Sequence, residues 1–308
     1  MSDATPDEVA SLLPELVAGP LDEVFRLPER AEVQASFAGA TPFPHLVIDD
    51  FLQPRFAEAV RGALLEDDHL FARSFNDDIQ RNKTISTGDD VPLLLQGLAT
   101  KLGSAPFLRW LEGATGMSGL IGDPYFNTEV GYYHIVGPGG VLASHIDHSH
   151  HSSLHIPHVL NVVLYISPDW QDSYGGHLHL FDAKGRDVDA AVSARFNRAI
   201  VFASNPVAYH GVEPLAPTAP SARHSLYFAY YAVPRADSVV GTPGLQGRIG
   251  AADGQDVAHP TYFVVPGRDL LRRRNWPYLR TRAELVARMV LPPVIPAAVR
   301  RLRRGTRP

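Results

Sequence analysis

His145-Ile146-Asp147 places an imidazole and a carboxylate two residues apart in a β-forming run, 142–147. Side chains at i and i+2 leave the same face of a strand, so both can reach one ion. A distant histidine, His210, lies in a second short β run, Ala208-Tyr209-His210-Gly211-Val212. Two histidines and one carboxylate form the facial set that suits non-haem Fe(II) and leaves coordination positions open. Arg223-His224-Ser225 then opens a third run, in which Arg223, Ser225 and Tyr227 share a face. A guanidinium beside a hydroxyl can hold a carboxylate by forked, charge-assisted hydrogen bonds. The combination suits a 2-oxo dicarboxylate that chelates the metal with one end and meets Arg223 with the other. The same triad residues could instead form a salt-bridged core cluster or bind zinc in a hydrolase. The run Asp147-His148-Ser149-His150-His151 does not supply the H-x-H-x-D-H order of dinuclear zinc hydrolases.

Such side chains need a rigid support, and the sequence supplies strands. From about Pro124, β-rich runs at 125–136, 142–147, 159–166, 177–181, 198–203, 207–212 and 223–233 are each bounded by Gly, Pro, Asn or Asp. Short strands at this spacing predict a sandwich or barrel. Alternation sends Leu178 and Leu180 to the core, turns His177 and His179 away from it, and puts Tyr132 and His134 on one face. The histidines after Asp147 (His148, His150, His151, His155 and His158) read as a polar loop over the mouth of the site. Ahead of the strands, 43–52 reads as a strand entering a helix. Pro54 starts that helix, and Phe56, Ala59, Val60, Ala63 and Leu64 repeat along it. Helices at 91–102 and 106–114 stop at Gly103 and Gly116. The polar stretch 76–90 reads as a loop; Arg81, Asn82 and Lys83 could cover the site, but a solvated loop is the reading favoured. Helices followed by strands predict a helical layer against one face of the barrel. The expected division is an N-terminal arm (1–40, with Val9, Leu12, Leu13 and Leu16 at helical spacing), a site-bearing domain (41–236), and a Gly-rich linker with a basic C-terminal segment (237–308).

Composition narrows the chemistry. Of 308 residues 45% are hydrophobic and 20% charged, enough for a packed core, so global disorder is excluded. Cysteine is absent, which excludes a thiol nucleophile, a disulfide framework and Cys-ligated zinc or iron–sulfur centres. A metal site must therefore use His and carboxylates. The acidic start has no apolar h-region and no run reaches membrane-spanning length, so a cytoplasmic location is expected. The net charge of −5 is uneven. Residues 268–308 carry 12 Arg against Asp269 and Glu284 (+10), leaving 16 basic and 31 acidic groups elsewhere (−15). An acidic body argues against nucleic acid as a partner. The basic tail carries an apolar stripe (Leu279, Leu285, Val286, Met289), expected to pack on the helical layer or to form a homodimer contact.

Further motifs lie between the chemical ones. Gly139-Gly140-Val141-Leu142-Ala143-Ser144 precedes His145. Leu160-Asn161-Val162-Val163-Leu164-Tyr165-Ile166-Ser167-Pro168-Asp169-Trp170, Gly175-Gly176-His177-Leu178-His179-Leu180 and Phe196-Asn197-Arg198-Ala199-Ile200-Val201-Phe202 follow it. Over roughly 43–233 their order resembles the 2-oxoglutarate- and Fe(II)-dependent dioxygenases. Within that superfamily it most resembles the prolyl 4-hydroxylase group, particularly the ribosomal-protein prolyl hydroxylase-like branch and its bacterial relatives. The resemblance implies a mainly β fold with supporting helices around a double-stranded β-helix (jelly-roll, cupin-like) core. It implies His145, Asp147 and His210 as catalytic iron ligands and Arg223 on the distal carboxylate of 2-oxoglutarate, with Tyr165 and Ser225 helping. The implied cofactors are Fe(II), 2-oxoglutarate and O2, with ascorbate stimulating turnover. The implied reaction is hydroxylation of an unactivated C–H with release of succinate and CO2. Its substrate would be small or peptidyl: an amino acid, a peptidyl proline, a sugar or a natural product. Desaturation, epoxidation or ring formation would use the same ligands, and a non-catalytic β-helix binding module is the alternative class. Halogenases of the superfamily lack the carboxylate ligand, whereas Asp147 is present here. The chain departs from the prolyl hydroxylase pattern in a long Pro/Ala loop at 213–222, in His158-Val159 where a basic residue is usual, and in its histidines after Asp147.

Overall fold

A strand that buries both faces must be apolar at odd and even positions alike, and the central strands of this chain are of that kind. The structure is a computed structural model that describes residues 6–65, 73–86, 91–123, 131–232 and 261–264 and the isolated positions 276, 280 and 283. Its helices are α1 (Pro6–Ala18), α2 (Leu21–Val24), α3 (Arg30–Gly39), α4 (Pro54–Leu65), α5 (Leu93–Leu102) and α6 (Ala105–Thr115). Its strands are β1 (His45–Ile48), β2 (Arg73–Phe75), β3 (Gln80–Ser86), β4 (Leu120–Gly122), β5 (Tyr133–Ile146), β6 (His158–Tyr165), β7 (Leu178–Phe181), β8 (Val188–Val192), β9 (Ala199–Ala203), β10 (His210–Val212), β11 (Arg223–Ala232) and β12 (Tyr262–Phe263). They form one antiparallel sheet in the order β1-β9-β6-β11-β5-β10-β7-β8, with β3 and β12 also paired to β5 and β4 to β11. The sheet rolls up as the core of a double-stranded β-helix.

The alternation separates two cores. On β6, β9 and β11 one set (Leu160, Val162, Leu164; Val201; Leu226, Phe228, Tyr230) packs against the helices, where Phe25, Phe56, Leu98, Phe107 and Leu111 are buried. The other set (Val163, Tyr165; Ile200, Phe202; Tyr227, Ala229, Tyr231) lines the interior of the roll with Leu178, Leu180 and Val212. The helical layer thus covers one face, as expected, and Gly103 and Gly116 cap α5 and α6 at their C-termini.

Several expectations are corrected. Within the expected N-terminal arm, Leu16, Val24, Phe25, Val33 and Phe37 are buried in the helical core, and the Trp110 indole donates to the Pro28 carbonyl (3.0 Å). The polar stretch after residue 76 is not a loop in its described part. It forms β3, which pairs with β2 and, over Gln80–Ser86, with β5. The runs at 125–136 and 142–147 meet in one fourteen-residue strand, β5, although 124–130 lie outside the described residues. β8 has no counterpart among the expected runs. Beyond residue 236, β12 pairs with β5. The basic segment, with its expected stripe and dimer contact, lies outside the described residues except for the isolated positions. Among the described residues no helix is long and apolar enough to cross a membrane.

Candidate active site

The triad forms where β5 and β10 pair. His210 pairs with His145 across the two strands. Gly211 permits that approach, since a Cβ there would stand 2.7 Å from the Leu142 carbonyl oxygen. Asp147 follows one residue past the end of β5. One ligand atom from each of His145, Asp147 and His210 lies within 4.8 Å of the others. Nδ1 of His145 faces the Ala143 carbonyl (2.9 Å) and Nδ1 of His210 the Ala208 carbonyl (3.0 Å). A carbonyl only accepts, so each Nδ1 donates to it, and Nε2 is the ring atom left to face Asp147. The Nε2 atoms of His145 and His210 lie 3.7 and 3.6 Å from the Asp147 carboxylate. Burial and the neighbouring His210 push His145 down to about 3, so it is neutral at physiological pH. Burial opposes ionisation of Asp147, yet the neighbouring His210 and His145 hold its carboxyl below the usual range. Two imidazole nitrogens and a carboxylate converging within one ligand sphere are a donor set for a divalent cation. The residues present therefore fit the iron implied by the resemblance.

A second layer fixes Asp147. Its Oδ2 accepts a hydrogen bond from Asn161 Nδ2 (2.9 Å), and Asn161 Oδ1 accepts one from His158 Nε2 (2.8 Å). The other nitrogen of His158 lies 3.0 Å from the His148 carbonyl and 3.2 Å from the Ser204 hydroxyl. The His148 and His158 rings stack 4.6 Å apart. His151 and His158 are buried. This corrects the reading of these histidines as a polar loop over the mouth: His158 is a structural brace, and His148 lines the cavity. His158 thus does the work of a support where a basic residue would be usual. Asn161→Ala is expected to keep the fold and to weaken Mn(II) or Fe(II) binding by about 10–100-fold, because outer partners of metal ligands carry effects of that size. Titration of the apo protein followed by Mn(II) EPR checks this, and a change under twofold would remove Asn161 from the site.

Arg223 closes the other part of the same cavity. It is 2% exposed, and its NH1 donates to the Ser225 hydroxyl at 3.3 Å. Its guanidinium stacks on the Tyr165 ring 4.8 Å from the centroid. Burial pulls the guanidinium below its ordinary value and raises the Tyr165 phenol. Tyr165 is close enough to feel Arg223 electrostatically, but its hydroxyl, like Nε of Arg223, has no hydrogen-bond partner among the described residues. A buried guanidinium with no carboxylate beside it is an open anion site. Ser225 lines the cavity with Arg223, whereas Tyr165 stands behind them.

The cavity has a volume of about 410 Å³. Alternation along β5 brings His134 to its wall, stacked on Tyr227 (5.6 Å), while Tyr132 belongs to the helical core. His177 and His179 lie away from it, both on Glu213 Oε2 (2.7 and 3.1 Å). Sequence reasoning missed Phe75 and Gln80 from the β2–β3 hairpin and Phe263 from β12, and set the placing of Lys83 over the site second to a solvated one; all four line the cavity. Phe263 stacks on the His145 ring at 5.0 Å. The hairpin residues were hidden by a bulge: the β3–β5 register shifts between Arg81 and Lys83, and Asn82 has φ 45°. The extra residue turns Gln80 and Lys83, three apart, to the same side, which simple alternation forbids. The bulge is pinned by Arg81 Nε to the Gly139 carbonyl and Asn82 Nδ2 to the Pro138 carbonyl, both 2.9 Å. Gly140 fits there because a Cβ would meet the Gly137 oxygen at 2.6 Å. Lys83 is pushed down to about 8 by burial, so it is cationic at pH 7.

No curated protein matches the sequence. Among solved structures the chain is similar to a Pseudomonas putida prolyl-4-hydroxylase (19% identity, TM-score 0.47, covering 67% of this chain and 100% of that one). It is similar to a Trichoplax adhaerens prolyl hydroxylase in complex with a hypoxia inducible factor oxygen degradation domain peptide fragment (18%, TM-score 0.47, 66% and 88%). HygX from Streptomyces hygroscopicus, with nickel and 2-oxoglutarate bound, is a third (14%, TM-score 0.44, 67% and 88%). The family model of the 2OG-Fe(II) oxygenase superfamily matches residues 130–231, the span that holds His145, Asp147, His210 and Arg223. The chain therefore carries a domain of the 2OG-Fe(II) oxygenase superfamily, an oxidoreductase class that uses Fe(II) and 2-oxoglutarate.

Proposed function

We propose that His145, Asp147 and His210 hold Fe(II), that Arg223 with Ser225 holds the distal carboxylate of 2-oxoglutarate, and that the domain hydroxylates a C–H bond of a small or peptidyl substrate. One observation carries this reading. Two imidazole nitrogens and a carboxylate converge on the same cavity as a buried guanidinium with no ion pair among the described residues. The bound iron would supply O2-dependent oxidation of the substrate, with 2-oxoglutarate leaving as succinate and CO2. The chain's own residues do the rest. The Ala143 and Ala208 carbonyls fix the tautomers of the two histidines. Asn161 and His158 fix the carboxylate. Tyr165 backs the guanidinium as a flat platform and keeps it aimed into the roll. Leu142, Val163, Phe202 and Val212 line the remaining wall and keep it poor in water. In this reading the catalytic unit is 41–236, extended by β12, which places Phe263 against His145.

The test is turnover of 2-oxoglutarate to succinate by the full chain with Fe(II) and ascorbate under air, followed by NMR. Metal-dependent succinate formation is expected even before a substrate is found. A protein that binds the metal and 2-oxoglutarate without forming succinate would be a binding module instead. Mass spectrometry of extracts incubated with the loaded enzyme should then find a product one oxygen atom heavier than its precursor.

A further inference from the structure

Lys83 is a buried cation for which the iron and cosubstrate chemistry has no use. It is 8% exposed and lines the cavity. Its one hydrogen bond runs from Nζ to Gln80 Oε1 (3.1 Å), and it makes no ion pair among the described residues. Its ammonium lies 5.7 Å from the centre of the Phe75 ring. The Arg73 guanidinium sits 5.1 Å over the same ring, also lines the cavity, and is likewise without an ion pair among the described residues. Arg73 is exposed and Lys83 buried, so the pair runs from the mouth inward along one aromatic side chain.

Asp147 acts on Lys83 electrostatically but makes no ion pair with it and belongs to the metal-ligand set. A buried ammonium without an ion pair destabilises a fold, and chains keep such groups where a ligand completes them. Charge balance identifies the missing partner. With the site filled as proposed above, Asp147 and the two carboxylates of 2-oxoglutarate are neutralised by a divalent ion and Arg223. Lys83 and Arg73 are left over. Lys83 pairs with Val136 on β5, and Val136 pairs with Arg223 on β11, so the two cations flank one strand of the same cavity. They are near enough that Arg223 disfavours the Lys83 charge, so sharing the neutralisation of one anion would not be free of cost.

We propose that Lys83, with Arg73 nearer solvent, is the anion-binding pole of the substrate site, and that the substrate is a small molecule carrying a carboxylate or phosphate on an apolar frame. This rests on the reading of the cavity as an oxygenase site. The anion lies on Lys83 and Gln80, the apolar frame lies along Phe75, and the oxidised C–H faces the triad. The cavity volume of about 410 Å³, shared with the cosubstrate, limits the substrate to a small one.

The test uses the full chain loaded with Mn(II) and 2-oxoglutarate, with benzoate, benzamide and inorganic phosphate as probes. Dissociation constants come from paramagnetic relaxation of the probe NMR signals. Benzoate or phosphate should bind at least about tenfold more tightly than neutral benzamide, as expected for one charge-assisted hydrogen bond. Whichever of the two binds better assigns carboxylate or phosphate. Lys83→Met should erase that preference, Arg73→Met should reduce it, and both should leave 2-oxoglutarate affinity within about threefold, far below the loss expected for a broken buried charge pair. Without probe, Lys83→Met should raise the melting temperature of the loaded protein, because an unpaired buried charge is removed. The proposal is overturned if neither anion is preferred over benzamide, if Lys83→Met keeps the preference, or if that variant melts lower. A loss of 2-oxoglutarate affinity in Lys83→Met overturns it too, by moving Lys83 to the cosubstrate. Failure of the wild-type chain to bind 2-oxoglutarate at all sinks the oxygenase reading instead. Anion preference by the metal-free chain then decides Lys83 by itself.

Discussion

Asp147→Ala is expected to leave a folded protein without turnover. Asp147 lies one residue past the end of β5 and faces a cavity, so its loss removes a ligand without opening a hole in either apolar core. What remains is two imidazoles, a weaker donor set with one more open position. The residues behind a ligand are worth about 10–100-fold in metal affinity. Removing the carboxylate itself should exceed that range, and Fe(II)-dependent succinate formation should fall below detection. Asn161 would lose its acceptor, and His158 would remain paired to it. Circular dichroism and the melting transition should therefore stay close to wild type. Mn(II) titration and an oxygen electrode make the measurement. Ordinary turnover by Asp147→Ala under air would refute the triad assignment.

The convergence of His145, Asp147, His210 and Arg223 on one cavity was legible in the sequence because they stand in or beside strands whose alternation is regular. His145 and Asp147 obey the two-residue period, and Arg223, Ser225 and Tyr227 do so along β11, where every second residue lines the roll. The helical layer was legible for a similar reason, with Phe56, Val60 and Leu64 at helical spacing and buried together. Where the period breaks, reading failed. The bulge at Asn82 puts Gln80 and Lys83 on one face, and a stretch of Gln, Arg, Asn, Lys and Thr looks solvated until β5 is known to pair with it. The N-terminal helices looked like an arm because their burial depends on partners far along the chain, such as α5, where Gly97 packs against Leu13 and Leu16. Phe263 lay beyond a Gly-rich stretch and returns to β5 by a pairing that no local pattern encodes. His158 was seen only as a departure from a family pattern. Its role needed the positions of Asn161 and Asp147 in space.

Arg223→Leu is expected to abolish 2-oxoglutarate binding at ordinary concentrations while sparing the metal. The guanidinium is buried, has Ser225 as its hydrogen-bond partner, and has no carboxylate beside it among the described residues. When 2-oxoglutarate is bound, its distal carboxylate would complete a buried ion pair. Removing one partner of such a pair costs about 3–5 kcal/mol. At about 1.4 kcal/mol per decade this is roughly two to four decades of affinity. Leucine removes the charge and leaves a surface that Tyr165 can still pack against, so the free protein should be as stable as wild type or more so. Arg223→Lys should fall between the two, since an ammonium keeps the charge but cannot form the fork with the carboxylate and Ser225. Mn(II) affinity should be unchanged in both variants, because the triad lies elsewhere in the cavity and draws its support from Asn161 and His158. Calorimetric titration of 2-oxoglutarate into the Mn(II)-loaded variants separates these outcomes. A change of less than a few-fold in Arg223→Leu would mean that another cation holds the cosubstrate. Lys83 would then be the group to test, because it is the other buried cation among the residues that line this cavity.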